Sequence, residues 1–168
     1  MGRSAGAEAA ARLEAALVEA VTGSQAAARL FFEQLLDPEF ELCVPERFQA
    51  ARLSDAPEYP SPFFNLLAVR DGERAVVPAF SRPELIAAWC GCRLAFRRLN
   101  FAALAKLLPA EWWITINPGR EAEKELSPWE IEQLRGGEAG IECVLEELFS
   151  TDPAELLEVS PLADDQYR

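Results

Sequence analysis

The chain has 168 residues, half of them apolar and 10% aromatic, enough for one domain that buries about 70% of the surface of its unfolded chain. Its 28 acidic and 16 basic residues leave a formal charge of −12, which disfavours nucleic acid and anionic membranes and suits a basic protein partner. There is no histidine, so histidine-based triads, imidazole general bases and histidine-ligated metals are excluded.

The apolar pattern of the first residues is interrupted by Glu8, Arg12, Glu14 and Glu19, unlike a secretory signal. No apolar run approaches the roughly 18 residues of a bilayer span. The expected compartment is the cytoplasm. Residues 5–21 read instead as an Ala/Glu-rich helix with Leu13, Leu17 and Val21 on one stripe. That amphipathic arm leaves two alternatives open, pairing with a second copy as a homodimer or packing on its own domain.

Thr22-Gly23 stops the arm, and Ser24 caps a second helix over about 25–36 that carries Phe31, Phe32, Leu35 and Leu36. Asp37-Pro38 ends it. A short strand follows at Glu41–Val44, then a proline-rich loop over 45–62. FFNLLAVR-DG-ERAVVPAF predicts a β-hairpin with Asp71-Gly72 as a type I′ turn and Arg70 beside Glu73 across it. Ser81-Arg82-Pro83-Glu84 predicts a capping box opening a helix through Trp89. A strand over 94–98, a helix capped by Asn100 and ended by Pro109, and a strand through Trp113 and Ile116 come next.

That last strand runs into Asn117-Pro118-Gly119. Glu121, Glu123 and Glu125 then fill a loop before Ser127-Pro128-Trp129-Glu130, a second capping box with proline in its favoured first position. Gly136-Gly137 separates this helix from one whose face is Ile141, Val144, Leu145, Leu148 and Phe149. Asp152-Pro153 caps a final short helix, and the chain frays from Ser160. The pattern implies an α+β single domain: a mixed sheet of about five strands, including the hairpin, with helices packed on it and helical extensions at both ends. The divisions are an arm (1–23), an α+β body (24–135), and a C-terminal extension and tail (136–168).

The segments LCVP (42–45), LLAVRDGERAVVPAFS (66–81), LIAAW (85–89), LNFAALAKLL (99–108) and WWITINPG (112–119) with ELSPWEIEQL (125–134) resemble the N-terminal domain of the bacterial SseB family over roughly residues 24–135. The hairpin and the apolar strand ending in Asn-Pro-Gly carry most of the likeness. Phe80-Ser81-Arg82 departs from the Phe-Thr-Ser often found there, and the second domain of many members is not expected within these 168 residues. The resemblance implies no catalytic residues to carry over.

Cys43, Cys90, Cys92 and Cys143 have no scaffold or CxxC spacing. Cys90-Gly91-Cys92 has the spacing for two thiolates on one metal, but the preferred reading is four small buried hydrophobes. Arg93, Arg97 and Arg98 are expected in surface ion pairs. No catalytic residue, metal or cofactor is expected. The candidate ligand or partner residues are Asn117, Pro118 and Gly119, at a strand end before a helix, and Trp113 and Trp129, expected to be exposed. The expected function is a non-enzymatic protein-interaction module. Two readings stay open beside it: a small acidic chaperone or immunity-type protein for a basic client, and an amino-acid or metabolite binder with the Asn117–Gly119 corner as its rim.

Overall fold

The structure, a computed structural model, describes residues 2–46 and 66–150. The loop expected over 45–62 beyond Glu46, the start of the first hairpin run, the helix after Asp152 and the frayed tail lie outside the described residues. The elements are α1 (Gly2–Ala20), α2 (Gln25–Leu36), β1 (Glu41–Pro45), β2 (Val69–Asp71), β3 (Arg74–Ala79), α3 (Glu84–Cys90), β4 (Phe96–Asn100), α4 (Phe101–Leu107), β5 (Trp113–Ile116), β6 (Lys124–Leu126), α5 (Pro128–Leu134) and α6 (Glu138–Phe149).

The strands form two sheets, β1-β4 and β2-β3-β5-β6, in an α+β arrangement. Among the described residues β3 and β5 pair in parallel and the other named strand pairings are antiparallel. The sheets meet where Cys43 and Phe80 exchange two backbone hydrogen bonds of 2.7 and 2.9 Å. The ladder with β2 has already ended at Val76, so β1 takes over that edge of β3. Pro78, which has no N–H to donate, sits in this gap between ladders.

Alternation along the strands divides the interior into two layers. Leu42, Val44, Val77, Ala79, Ile114, Ile116 and Leu126 join one core with α1, α2, α4, α5 and α6. On the other side Cys43 and Phe80 pack with Leu85 and Ile86 of α3, flanked by Trp89. Leu13 and Leu17 of α1 are buried in the larger core, packed with α2, while Val21 lies beyond the helix and is exposed. The arm's stripe is thus covered within its own chain.

Four expectations of local structure are corrected. The hairpin pairs Asp71 with Arg74 and Arg70 with Ala75, leaving Gly72 and Glu73 as the loop. Of these only Gly72 has positive φ, at 63°, the type II′ pattern, which needs a glycine at the first loop position and tolerates Glu73 at the second. Ser81 does not cap α3, whose first turn has no side-chain cap; its hydroxyl is engaged by Asn117 instead. The strand expected over 94–98 sits two residues later and runs straight into the Asn100 cap. Residues 124–126 form β6, an edge strand fixed by its pairing with β5 rather than by any apolar alternation of its own. The caps at Ser24, Asn100 and Ser127 all form.

Candidate functional site

The corner after β5 is built from its backbone outward. Asn117 extends the parallel ladder by donating its N–H to the Ala79 carbonyl at 2.8 Å, then turns the chain with φ at 53°. Asparagine tolerates this left-handed conformation better than other residues with a side chain. Its side chain is 2% exposed. There Oδ1 accepts the Ser81 N–H at 2.9 Å, and Nδ2 donates to the Ser81 hydroxyl at 3.0 Å. Pro118 is half-buried. Gly119 has φ of 79°, and a Cβ there would stand 3.3 Å from Trp89 Cδ1. Its N–H donates to Glu123 Oε2 at 3.0 Å. The polar groups of Asn117 and the Gly119 N–H therefore already have partners inside the protein.

The two tryptophans lie elsewhere. Because β5 pairs Ile114 with Leu126 and Ile116 with Lys124, the chain leaves β6 into α5 at the Trp113 end of β5, opposite the Asn117 corner. The hairpin turn is at the same end as Trp113, since β3 runs parallel to β5. The five candidate residues thus separate into a corner whose polar groups are already partnered and an opposite sheet end.

At that sheet end Trp113 is half-buried beneath the Arg74 guanidinium, 4.4 Å from its ring centroid, a cation–π arrangement. Arg74 also pairs with Asp71, and with Glu125 Oε2 at 3.4 Å; these bonds and charges raise its pKa, with Asp71 the larger cause. Trp129, in the first turn of α5, is 45% exposed. Beneath it the capping box is complete: Ser127 Oγ accepts the Glu130 N–H at 3.1 Å and Glu130 Oε1 accepts the Ser127 N–H at 3.2 Å. The Lys124 ammonium stands 2.8 Å from the buried Glu130 Oε2 without hydrogen-bond geometry, so that contact is electrostatic.

A cleft of about 1010 Å³ lies between α1, the end of α2, the start of β1 and the 81–84 segment; Arg12, Gln34, Glu41, Arg82, Glu84 and Arg98 are on its walls. Arg82 forks onto Glu14 of α1 with bonds of 2.9 and 2.8 Å, which raises its pKa. Arg98 lies 5.5 Å over the Phe96 ring and 3.9 Å from Cys43 Sγ. Among the described residues Arg93, Arg97 and Arg98 join no ion pair, contrary to expectation: antiparallel pairing with β1 sets Arg97 and Arg98 opposite Val44 and Cys43 rather than opposite acid. The cleft joins residues from five separate stretches, and no spacing in the sequence signals it.

The cysteines divide. Cys43 is fully buried, and burial pushes its thiol up to about 11, with Glu84 and Glu41 adding to the rise and Arg98 opposing it. It stays neutral and unreactive at ordinary pH. Cys90, Cys92 and Cys143 are exposed, which corrects their reading as buried hydrophobes: Cys90 and Cys92 flank the glycine that ends α3, and Cys143 falls outside the apolar stripe of α6. Among the described residues no group of three or more Cys, Asp or Glu side chains is placed to hold a metal ion, and no helix is long and apolar enough to cross a membrane.

A family model described as the SseB protein N-terminal domain matches residues 13–133, beginning inside α1 and ending within α5. No curated protein and no solved structure gives a significant match.

Proposed function

From the premise that the chain belongs to the SseB family through its N-terminal domain, we propose that it is a non-enzymatic, cytoplasmic protein-interaction module whose docking face is the Trp113–Trp129 end of the four-stranded sheet. The observation that carries this reading is the Trp129 indole, 45% exposed on a short helix whose first turn carries a complete capping box. Exposed, pre-positioned tryptophan is a frequent anchor at interfaces. The neighbouring hairpin turn and β6 bring Asp71, Glu73 and Glu125, all exposed, and the chain's charge of −12 suits a partner with an apolar anchor ringed by Lys or Arg. A secreted or chaperoned basic client is the sharper form of the same proposal.

The test is affinity capture from the native lysate, comparing the wild-type chain with Trp129→Ala and with a Trp113→Ala, Trp129→Ala double variant. A partner captured by the wild type and lost with Trp129→Ala at unchanged melting temperature supports the module. Equal capture by all three proteins removes this face from the proposal.

A second reading, small-molecule binding, is favoured by the cleft of about 1010 Å³, not by the Asn117 corner. Amino acids and related metabolites that bind there raise the melting temperature by mass action, and Arg98→Ala abolishes that rise if the cleft is the site.

A further inference from the structure

Cys90 closes α3 and Cys92 follows two residues later, with Gly91 between them in the left-handed region at φ 74°. A middle residue in that turn draws its neighbours together about as closely as a helical one does, within the ~4.4–6.8 Å between Cα atoms that a disulfide spans. An extended middle residue would send the two side chains to opposite faces. The two sulfurs are 3.5 Å apart, in van der Waals contact, and both cysteines are exposed. Cys90 Sγ lies 3.2 Å from the Ile86 carbonyl and 3.1 Å from that of Cys92, contacts that hold it at the turn. A Cβ on Gly91 would meet nothing within 4 Å, so the turn itself is uncrowded at its middle residue.

We propose that Cys90-Gly91-Cys92 is a dithiol–disulfide exchange site acting on small-molecule disulfides of the glutathione class. One cysteine, as its thiolate, attacks a sulfur of the small disulfide. The disulfide bond breaks, a mixed disulfide forms, and the released thiolate takes up the proton that cysteine gave up. The second cysteine, deprotonated in turn, attacks the protein sulfur of the mixed disulfide. The Cys90–Cys92 bond forms, and the second small thiol leaves with the second proton. The protein loses two electrons and the small disulfide gains them. Closing the sulfurs from contact to a bond of about 2.05 Å needs rotation of the two side chains about an open turn. The second step is favoured because its reactants already touch.

The test uses the full chain carrying Cys143→Ser, so that the pair is the exposed thiol site and Cys43 stays protected by burial. The protein is treated with excess glutathione disulfide, quenched with acid and read by intact mass. Loss of two hydrogens with no retained glutathione is the expected result. In the same background, Cys90→Ser and Cys92→Ser each trap glutathione on the remaining cysteine, at least about tenfold more than the parent does. Stable double adducts on the parent, a covalent dimer, or an unchanged mass each overturns the proposal.

Discussion

Asn117 and Ser81 hold each other across the sheet: the asparagine amide accepts the Ser81 N–H and donates to the Ser81 hydroxyl, tying the end of β5 to the entrance of α3. Asn117→Ala removes both bonds, leaves a buried N–H without a partner and forces alanine into φ of 53°. The expected loss is about 2–4 kcal/mol. Asn117→Gly loses the same bonds without the backbone strain, so it is expected to recover about 1 kcal/mol relative to alanine. Urea denaturation of the three proteins checks both numbers, and equal stability of wild type and Asn117→Ala would remove the clamp from the account of this corner.

Leu13 is fully buried in the core that α1 shares with α2 and the sheet. Leu13→Ala is expected to cost about 2–5 kcal/mol, as a buried truncation does. The same change in a detachable arm would leave the melting temperature of the body unmoved. Val18→Ala, at an exposed site on the same helix, is the matched control and is expected to stay within about 0.5 kcal/mol. The family match beginning at residue 13 agrees with α1 being part of the domain.

Cys43 gives a pH signature. Its folded pKa is raised from the ordinary 9.0 to about 11, chiefly by burial. A raised pKa means the stability gained by keeping this thiol neutral is fully present below pH 9 and is lost as pH rises through about 11. Cys43→Ala is expected to be less stable at neutral pH because of the cavity it leaves, yet to lose stability less steeply across that alkaline window. At neutral pH iodoacetamide is expected to label Cys90, Cys92 and Cys143 in the native chain, and Cys43 only after denaturation.

Much of the chain could be read locally because its signals are local. Ser24, Asn100 and Ser127 each act on an N–H three residues away, so a short window contains the whole cause. The failures have long-range causes. Ser81 has the sequence of a cap, but its hydroxyl meets Asn117, 36 residues on, and a cap residue has only one hydroxyl to place. Lys124–Leu126 becomes a strand because β5 offers an open edge, not because three residues with two charges prefer one. Asn117 was legible as a turn residue and Trp129 as an exposed aromatic, while their separation to opposite ends of β5 depends on strand register. The cleft was not legible at all.

Glycine-to-alanine substitutions at Gly6 and Gly140 are expected to have opposite signs, although both residues lie in helices. A Cβ on Gly6 meets nothing within 4 Å, so Gly6→Ala only reduces the freedom of the unfolded chain and improves helix propensity. It is expected to stabilise by about 0.5–1 kcal/mol. A Cβ on Gly140 would stand 1.6 Å from the Gln133 carbonyl oxygen, a backbone atom of α5 that a side-chain rotation cannot clear. Gly140→Ala must therefore push α6 off α5, breaking the packing of Ile141, Val144 and Leu145 into the core, at an expected cost of about 3 kcal/mol or more. Paired thermal melts decide it. If Gly140→Ala were as benign as Gly6→Ala, α5 and α6 could not be in the close backbone contact that lets α6 complete the core.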